Sequence, residues 1–273
     1  MPIRQLKPVT PWQRKRSVLT FEELTTNKPY KPLTIKLKKH SWRSSNWRIT
    51  VRHKWWGHAK KYRIIDFLFK KHDIPAKIET IEYDPYRSAF ISLICYNDWE
   101  RKYIIAHKDM KVWDRIIISK KTKIIPWNRM EIENIPTWVQ IHNIEAIVWE
   151  GSKYARSAWT YWTIVSQEWV YTQVKFPSWE VRYINKRCYA SIGVVSNIDH
   201  NQVRIWKAWR SRWMWIRPTV LWKSMNPVDH PHWWWEWHQP LGMAPKTPWG
   251  KLALWVKTRR KKFTNKWIAK KRV

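Results

Sequence analysis

The chain has 273 residues and carries 53 Lys plus Arg against 20 Asp plus Glu, a formal net charge of +33, and a compact monomer with that much like charge repels itself unless a polyanion neutralises it. The length suits one large domain, or two small ones with extensions. No run reaches the roughly 18 apolar residues that a bilayer-spanning helix needs, so nucleic acid is the first partner to consider and an anionic membrane surface the second.

Residues 1–59 read as a basic extension without its own core. Its first residues, Met1 to Pro8, lack the apolar stretch of a secretory signal. Lys31-Pro32-Leu33-Thr34 and Lys36-Leu37-Lys38-Lys39-His40 are proline-punctuated and cationic, and residues 41–48 are polar and non-periodic. Such segments stay disordered until a partner orders them.

From Lys60 the texture changes. Strands are expected at Tyr62–Phe67, Ala76–Tyr83, Ser88–Tyr96 and Lys102–Ala106, with short pieces at Arg115–Ile118 and Lys123–Ile125. Short β-branched strands separated by turn signals argue for a small barrel, and the OB type fits residues 60–125. Residues 126–195 repeat the texture, with strands expected at Val139–Ile144, Thr160–Val165, Val170–Phe176, Val181–Asn185 and Ala190–Val195. An SH3-like barrel is the reading there. The fold class is therefore mainly β, two barrels between basic irregular extensions. Residues 196–273 form the C-terminal extension and end in blocks of like charge, which are solvated unless a polyanion is bound. Cys95 and Cys188 lie in apolar, strand-like contexts. They are too few for a disulfide framework, suit a reducing compartment and read as buried and inert.

Tryptophan and glycine are both out of proportion. There are 26 tryptophans and 5 glycines, where glycine averages about 7% of residues. Asn97-Asp98-Trp99-Glu100, Ser166-Gln167-Glu168-Trp169 and Pro177-Ser178-Trp179-Glu180 each put an indole where a tight turn wants positive φ. Pro227 and Pro231 make Ser224–Trp237 irregular, and its adjacent Trp233, Trp234 and Trp235 would expose several hundred square ångströms of indole. Base stacking uses strand faces rather than the tips of tight turns. Most of these positions therefore read as glycine in the organism, through a UGA codon translated with the wrong table.

With that reading the chain resembles the bacterial type of the ribosomal large-subunit protein L2 family along essentially its whole length. The resemblance rests on Thr50-Val51-Arg52-His53, Tyr62–Phe67, Ile74–Lys77, Ile81–Pro85, Asn134-Ile135-Pro136, His142–Glu145, Ala190–Gly193, Ala208–Trp213, Arg217–Val220, Met225-Asn226-Pro227, Asp229-His230-Pro231-His232, Pro248–Lys251 and Lys257-Thr258-Arg259. Trp213 and Trp249 stand where the family has tryptophan, and Trp162 and Trp267 are unassigned; the other positions correspond to family glycines. The resemblance implies an rRNA-binding structural protein of the cytoplasmic ribosome, with an organelle ribosome also compatible. It implies support for subunit association, tRNA binding and the peptidyl-transferase centre. The implied partners are large-subunit rRNA, other ribosomal proteins and small-subunit RNA at the intersubunit bridge, with no membrane and no cofactor. A non-ribosomal OB-fold binder of single-stranded nucleic acid is the alternative.

The candidate RNA contacts are Arg52, His53, Lys54, His58, Lys60, Arg63, Arg87, Arg210, Arg212, Arg217, Asn226, Asp229, His230, His232, Lys251, Lys257 and Arg259. Cations neutralise phosphates, and structured RNA is read by shape, 2′-OH and phosphate. His230 and His232 are expected to donate hydrogen bonds to RNA. A His-x-His pair with one carboxylate falls short of a tetrahedral metal site. No nucleophile–base pair, metal quartet or phosphate-binding glycine loop appears, so neither an enzyme nor a catalytic residue is expected.

Overall fold

The computed structural model describes residues 3–38, 41–233 and 244–272. Trp234, Trp235 and Trp237 of the expected indole-rich loop lie outside the described residues. The chain divides into two compact units. One comprises residues 1–38, 59–207 and 264–273; the other comprises 39–58 and 208–263.

The first unit holds both barrels, and it is mainly β. The first barrel is a four-stranded antiparallel sheet in the order Arg101–Ile105, Ile91–Tyr96, Ala76–Glu82, Arg115–Ile116. Alternation along Ala76–Glu82 buries Ala76, Ile78 and Ile81, which pack with Ile94, Ile104 and Ile116. A shift of register between Ile78 and Thr80 bends the strand, as a bulge does when it curls a sheet towards closure. The pattern of Tyr62–Phe67 predicts one strand. Only Tyr62–Arg63 is one, paired with Thr34–Ile35, and Ile65 bridges Tyr103. The Asp66 carboxylate then accepts the amides of Leu68 and Phe69 and turns the chain. Lys123–Ile125 forms no strand.

The second barrel is built on a seven-stranded sheet ordered Ile268–Lys270, Val181–Asn185, Tyr171–Lys175, Trp162–Gln167, Gln140–His142, Tyr189–Ile192, Arg129–Glu131. Ile132, Ile141, Ile144, Ile164, Val174 and Cys188 fill it. Burial pushes the Cys188 thiol up to about 12, so it stays a thiol. Cys95 is only half-buried, against the expectation for both cysteines.

The chain ends are not free arms in this unit. Ile3–Gln5 pairs with Ser17–Leu19, the Tyr30 amide donates to the Tyr103 hydroxyl at 2.8 Å, and Ile268–Lys270 returns as an edge strand beside Val181–Asn185. The C-terminal extension therefore ends as a barrel edge, while the N-terminal one begins in a two-stranded sheet of its own. The pairing signal was too short to stand out, because three-residue strands carry no readable period.

The barrels meet at a histidine pair. His107 and His142 have ring centroids 5.2 Å apart. The Val194 amide donates to His107 Nε2 at 3.0 Å, and His142 Nδ1 lies 3.1 Å from the Gly193 carbonyl. Gly193 has φ +103°, and a Cβ there would sit 1.8 Å from His107 Nε2, so only glycine fits. Burial pushes the His142 imidazole down to about 3. The folded protein thus binds fewer protons than the unfolded chain between pH 3 and 6.5, and stability falls as pH drops through that window. The slope from this group reaches at most about 1.4 kcal/mol per pH unit. Urea melts from about pH 7 to 4 on the parent and on His142→Gln test it: the variant is expected to show the shallower decline, and parallel curves would remove His142 as the cause.

The turns explain the tryptophans' backbone. Three hairpins share one geometry, a three-residue loop whose last residue is left-handed. In the first, Tyr96 N–H donates to Glu100 O at 3.0 Å and Trp99 N–H to Tyr96 O at 2.9 Å. Phe176–Glu180 repeats it around Trp179 and Ser44–Arg48 around Trp47. A fourth, Thr247–Lys251, has the same two bonds and places Gly250 at that position. The φ values are +64°, +66°, +56° and, for Gly250, +75°. The tight turn at Trp169 differs: it closes through Glu168 N–H to Tyr171 O, and Trp169 is not left-handed. Across the described residues twelve tryptophans have positive φ: Trp42, Trp47, Trp99, Trp113, Trp127, Trp138, Trp149, Trp159, Trp179, Trp206, Trp215 and Trp255. An L-residue there costs about 1–2 kcal/mol, while glycine gives back about 0.5–1 kcal/mol in unfolded-state entropy. Trp99→Gly is therefore expected to stabilise the chain by about 0.5–1 kcal/mol, and Gly250→Trp to destabilise it by the same amount. Denaturant midpoints of the two variants check both signs.

Candidate nucleic-acid interface

The second unit joins parts of both expected extensions. The α-helix Ala208–Trp213 leads into a segment that lies along residues 53–58. Arg217 N–H donates to His53 O at 3.0 Å, Lys54 bridges Ile216, and His58 N–H donates to Trp213 O at 3.2 Å. This ladder puts Arg52, His53 and Lys54 beside Arg212 and Arg217, which are far apart in sequence. Arg43 joins them, its guanidinium 4.1 Å from the Trp55 ring, with Arg217 5.8 Å from the same ring. The sequence reading missed Arg43, because segment 41–48 offered no periodicity to place it. Arg52, Arg210, Arg217, Lys251, Lys257 and Arg259 are exposed, as is His58; Lys54, His53 and Arg212 are half-buried.

The described residues of this unit contain fifteen lysines and arginines and one carboxylate, Asp229. Among those described residues no apolar side chain is buried, and the buried side chains are His230 and His232. Hydrophobic burial, the usual driving force of folding, is therefore missing here. Mutual repulsion opposes compactness, and only bound anions can offset it.

Within the proline-bounded loop the described residues turn through short internal hydrogen bonds. Asn226 O accepts the Asp229 amide at 2.9 Å and both residues are exposed. His230 and His232 are each 6% exposed, with ring centroids 5.0 Å apart. The His232 amide donates to His230 Nδ1 at 3.2 Å, and the Lys246 amide donates to His232 Nε2 at 2.9 Å. One nitrogen of each ring is thus an internal acceptor, which leaves Nε2–H of His230 and Nδ1–H of His232 as donors. Burial, with His232 and Arg52 nearby, pushes the His230 imidazole down, so it is neutral at physiological pH. These rings hold the loop's shape, and each keeps one proton to donate.

Three predicted contacts, Lys60, Arg63 and Arg87, belong to the first unit. Lys60 Nζ donates to Pro85 O at 3.1 Å. Arg63 is buried and donates to Lys61 O at 3.0 Å. Arg87 Nη1 pairs with the fully buried Asp84 carboxylate at 2.5 Å and its guanidinium lies over Tyr62. Arg63 and Arg87 are committed to the fold, with Arg87 beside Arg156. Nothing in a single arginine's sequence context separates such a role from a phosphate contact. Among the described residues, no His, Cys, Asp and Glu group could hold a metal, and no helix is long and apolar enough to cross a membrane.

Two family models match the chain. "Ribosomal Proteins L2, RNA binding N-terminal domain" covers residues 30–118, and "Ribosomal Proteins L2, C-terminal domain" covers residues 126–250. The first spans the OB-type barrel and residues 39–58; the second spans the SH3-like barrel and the helix-to-histidine segment. Together they account for most of the length, in the order that the two barrels require, and the chain belongs to the ribosomal protein L2 family of structural, rRNA-binding proteins.

Proposed function

We propose that this chain is a primary rRNA binder of a bacterial-type large subunit, and that residues 39–58 with 208–263 are its main grip on RNA. The observation that carries this is the second unit's makeup: fifteen cations, one carboxylate and no buried apolar side chain among its described residues. Arg52, Lys54, Arg210, Arg212, Arg217, Lys251, Lys257 and Arg259 supply phosphate contacts, together with Lys60 at the barrel. His53 and His58 flank the same basic stretch and bond to RNA. Asp229, an acceptor only, takes a 2′-OH or a base amine, Asn226 stands beside it, and His230 and His232 each donate one proton. Arg63 and Arg87 act through the barrel that presents these residues.

The same reading places the Asp229–His232 loop near the peptidyl-transferase centre, where it supports tRNA binding and contacts small-subunit RNA at the bridge. It assigns the protein no catalytic step, and the cytoplasmic ribosome is its site.

Binding of the full chain to large-subunit rRNA across about 50–300 mM salt tests the proposal. Log Kobs is expected to fall steeply with log salt, and Arg52→Ala or Arg217→Ala to flatten the slope by roughly one each. Equal affinity for unrelated duplex RNA, with no salt slope, would sink it.

A further inference from the structure

We infer that the twelve left-handed tryptophans are glycines in the protein as its own cell makes it, and that the lysines now lying over some of those indoles face phosphate in that form.

Four hairpins of one geometry carry the first half. Thr247–Lys251 has glycine at the left-handed position, and Tyr96–Glu100, Phe176–Glu180 and Ser44–Arg48 have tryptophan there with the same two closing hydrogen bonds. A turn that needs positive φ selects against any Cβ, and a bulky residue there is an outlier. Half of the indoles gain little in return. Trp47, Trp99, Trp113, Trp138 and Trp179 are 70–80% exposed and Trp255 is 98% exposed. Stacking on a base would account for exposed indoles, but it needs a ring on a strand face, not a left-handed backbone. Trp213, in the helix, and Trp249, beside Gly250, are not left-handed; the resemblance to the family implies tryptophan at both, and they are expected to remain tryptophan. One codon read two ways, UGA as glycine in the cell and as tryptophan on translation by another table, separates the two sets.

The second half concerns charge. Lys175 Nζ lies 3.8 Å from the Trp179 ring centroid, Lys15 5.0 Å from Trp206, Lys77 5.7 Å from Trp113 and Lys54 5.8 Å from Trp42. A cation held over a ring is partly withdrawn from other anions. Glycine removes the ring and opens the backbone to close approach, so each of these loops becomes a lysine beside an uncovered turn, a fit for a phosphate oxygen.

Peptide mass mapping of the protein purified from its own ribosomes tests the assignment, read against the gene's codons. Glycine masses are expected at Trp47, Trp99 and Trp179, on UGA codons, and indole masses at Trp213 and Trp249, on UGG. An indole at any of the first three overturns it, whatever the protein binds. The phosphate half rests on the rRNA-binding reading and is tested separately, in a full chain made with glycine at all twelve. There Lys54→Ala and Lys175→Ala are each expected to flatten the salt dependence of rRNA binding by roughly one in slope. Slopes unchanged in both variants, while the parent still binds, overturn this half alone.

Discussion

A full chain made with glycine at the twelve left-handed positions is expected to be more stable than the tryptophan chain by about 6–12 kcal/mol, the sum of about 0.5–1 kcal/mol per site. The sites are mostly far apart in different loops, so their contributions add. The size of the sum matters. Strain of about 1–2 kcal/mol at each of twelve positions reaches about 12–24 kcal/mol, and net domain stability is only about 5–15 kcal/mol. The tryptophan chain is therefore expected to unfold at a far lower urea midpoint than the glycine chain, with native-like β circular dichroism for both below their transitions. The control is a chain with alanine at the same twelve positions. Alanine removes the indoles but keeps a Cβ in the left-handed backbone, so it should recover only a part of the difference. Alanine and glycine chains of equal stability would show that indole exposure, not backbone strain, is the cost.

The barrels were legible because their strands are long enough to show a period and are bounded by turn residues. Val181–Asn185 was placed to the residue, and Ala76–Glu82 to within one. Tyr62–Phe67 was not, because the Asp66 side chain caps the following turn, an event that apolar patterning does not record. The edge strands Ile3–Gln5 and Ile268–Lys270 were hidden for another reason. Each is three residues long, too short for a period to show, and Ile268–Lys270 also depends on a partner distant in sequence, Val181–Asn185. Basic residues announced the RNA partner but not their own roles. Arg52 and Arg217 reach one exposed ladder, while Arg63 turns inward onto the Lys61 carbonyl and Arg87 onto Asp84, three residues before it, and onto Tyr62, which the fold brings near. The left-handed positions were anticipated at Trp99 and Trp179, where hairpin spacing is fixed by the flanking strands. At Trp169 the same inference failed, because a two-residue loop closed there instead. All twelve positions fall within the set that resemblance to the family marks as glycine, so backbone conformation and sequence comparison agree by separate routes.

Glu145→Ala, made in the glycine chain, is expected to cost about 3–5 kcal/mol, the range for leaving one partner of a buried ion pair uncompensated. Arg129 is 1% exposed and lies in the strand that closes the second sheet. Its Nη2 bonds Glu145 Oε1 at 2.9 Å and Tyr189 O at 3.3 Å, and its Nη1 bonds Asn143 O at 2.6 Å. Its guanidinium also lies 4.4 Å from the Phe69 ring of the first barrel's core. Burial alone would push this guanidinium's pKa down, and the Glu145 carboxylate opposes that. The other oxygen of Glu145, Oε2, accepts the Tyr189 amide at 3.1 Å. Replacing both charges with apolar groups, as in Arg129→Met with Glu145→Leu, removes the buried charge but strands the Tyr189 amide, while the Asn143 carbonyl keeps the Ser152 hydroxyl as a donor at 2.8 Å. The stranded amide costs about 1–3 kcal/mol, so the double variant should fall between the parent and Glu145→Ala rather than surpass the parent. Urea midpoints near neutral pH for the parent, both single variants and the double decide the order. A Glu145→Ala chain as stable as the parent would mean that Arg129 finds another counter-charge or water, and that the pair does not hold this end of the sheet.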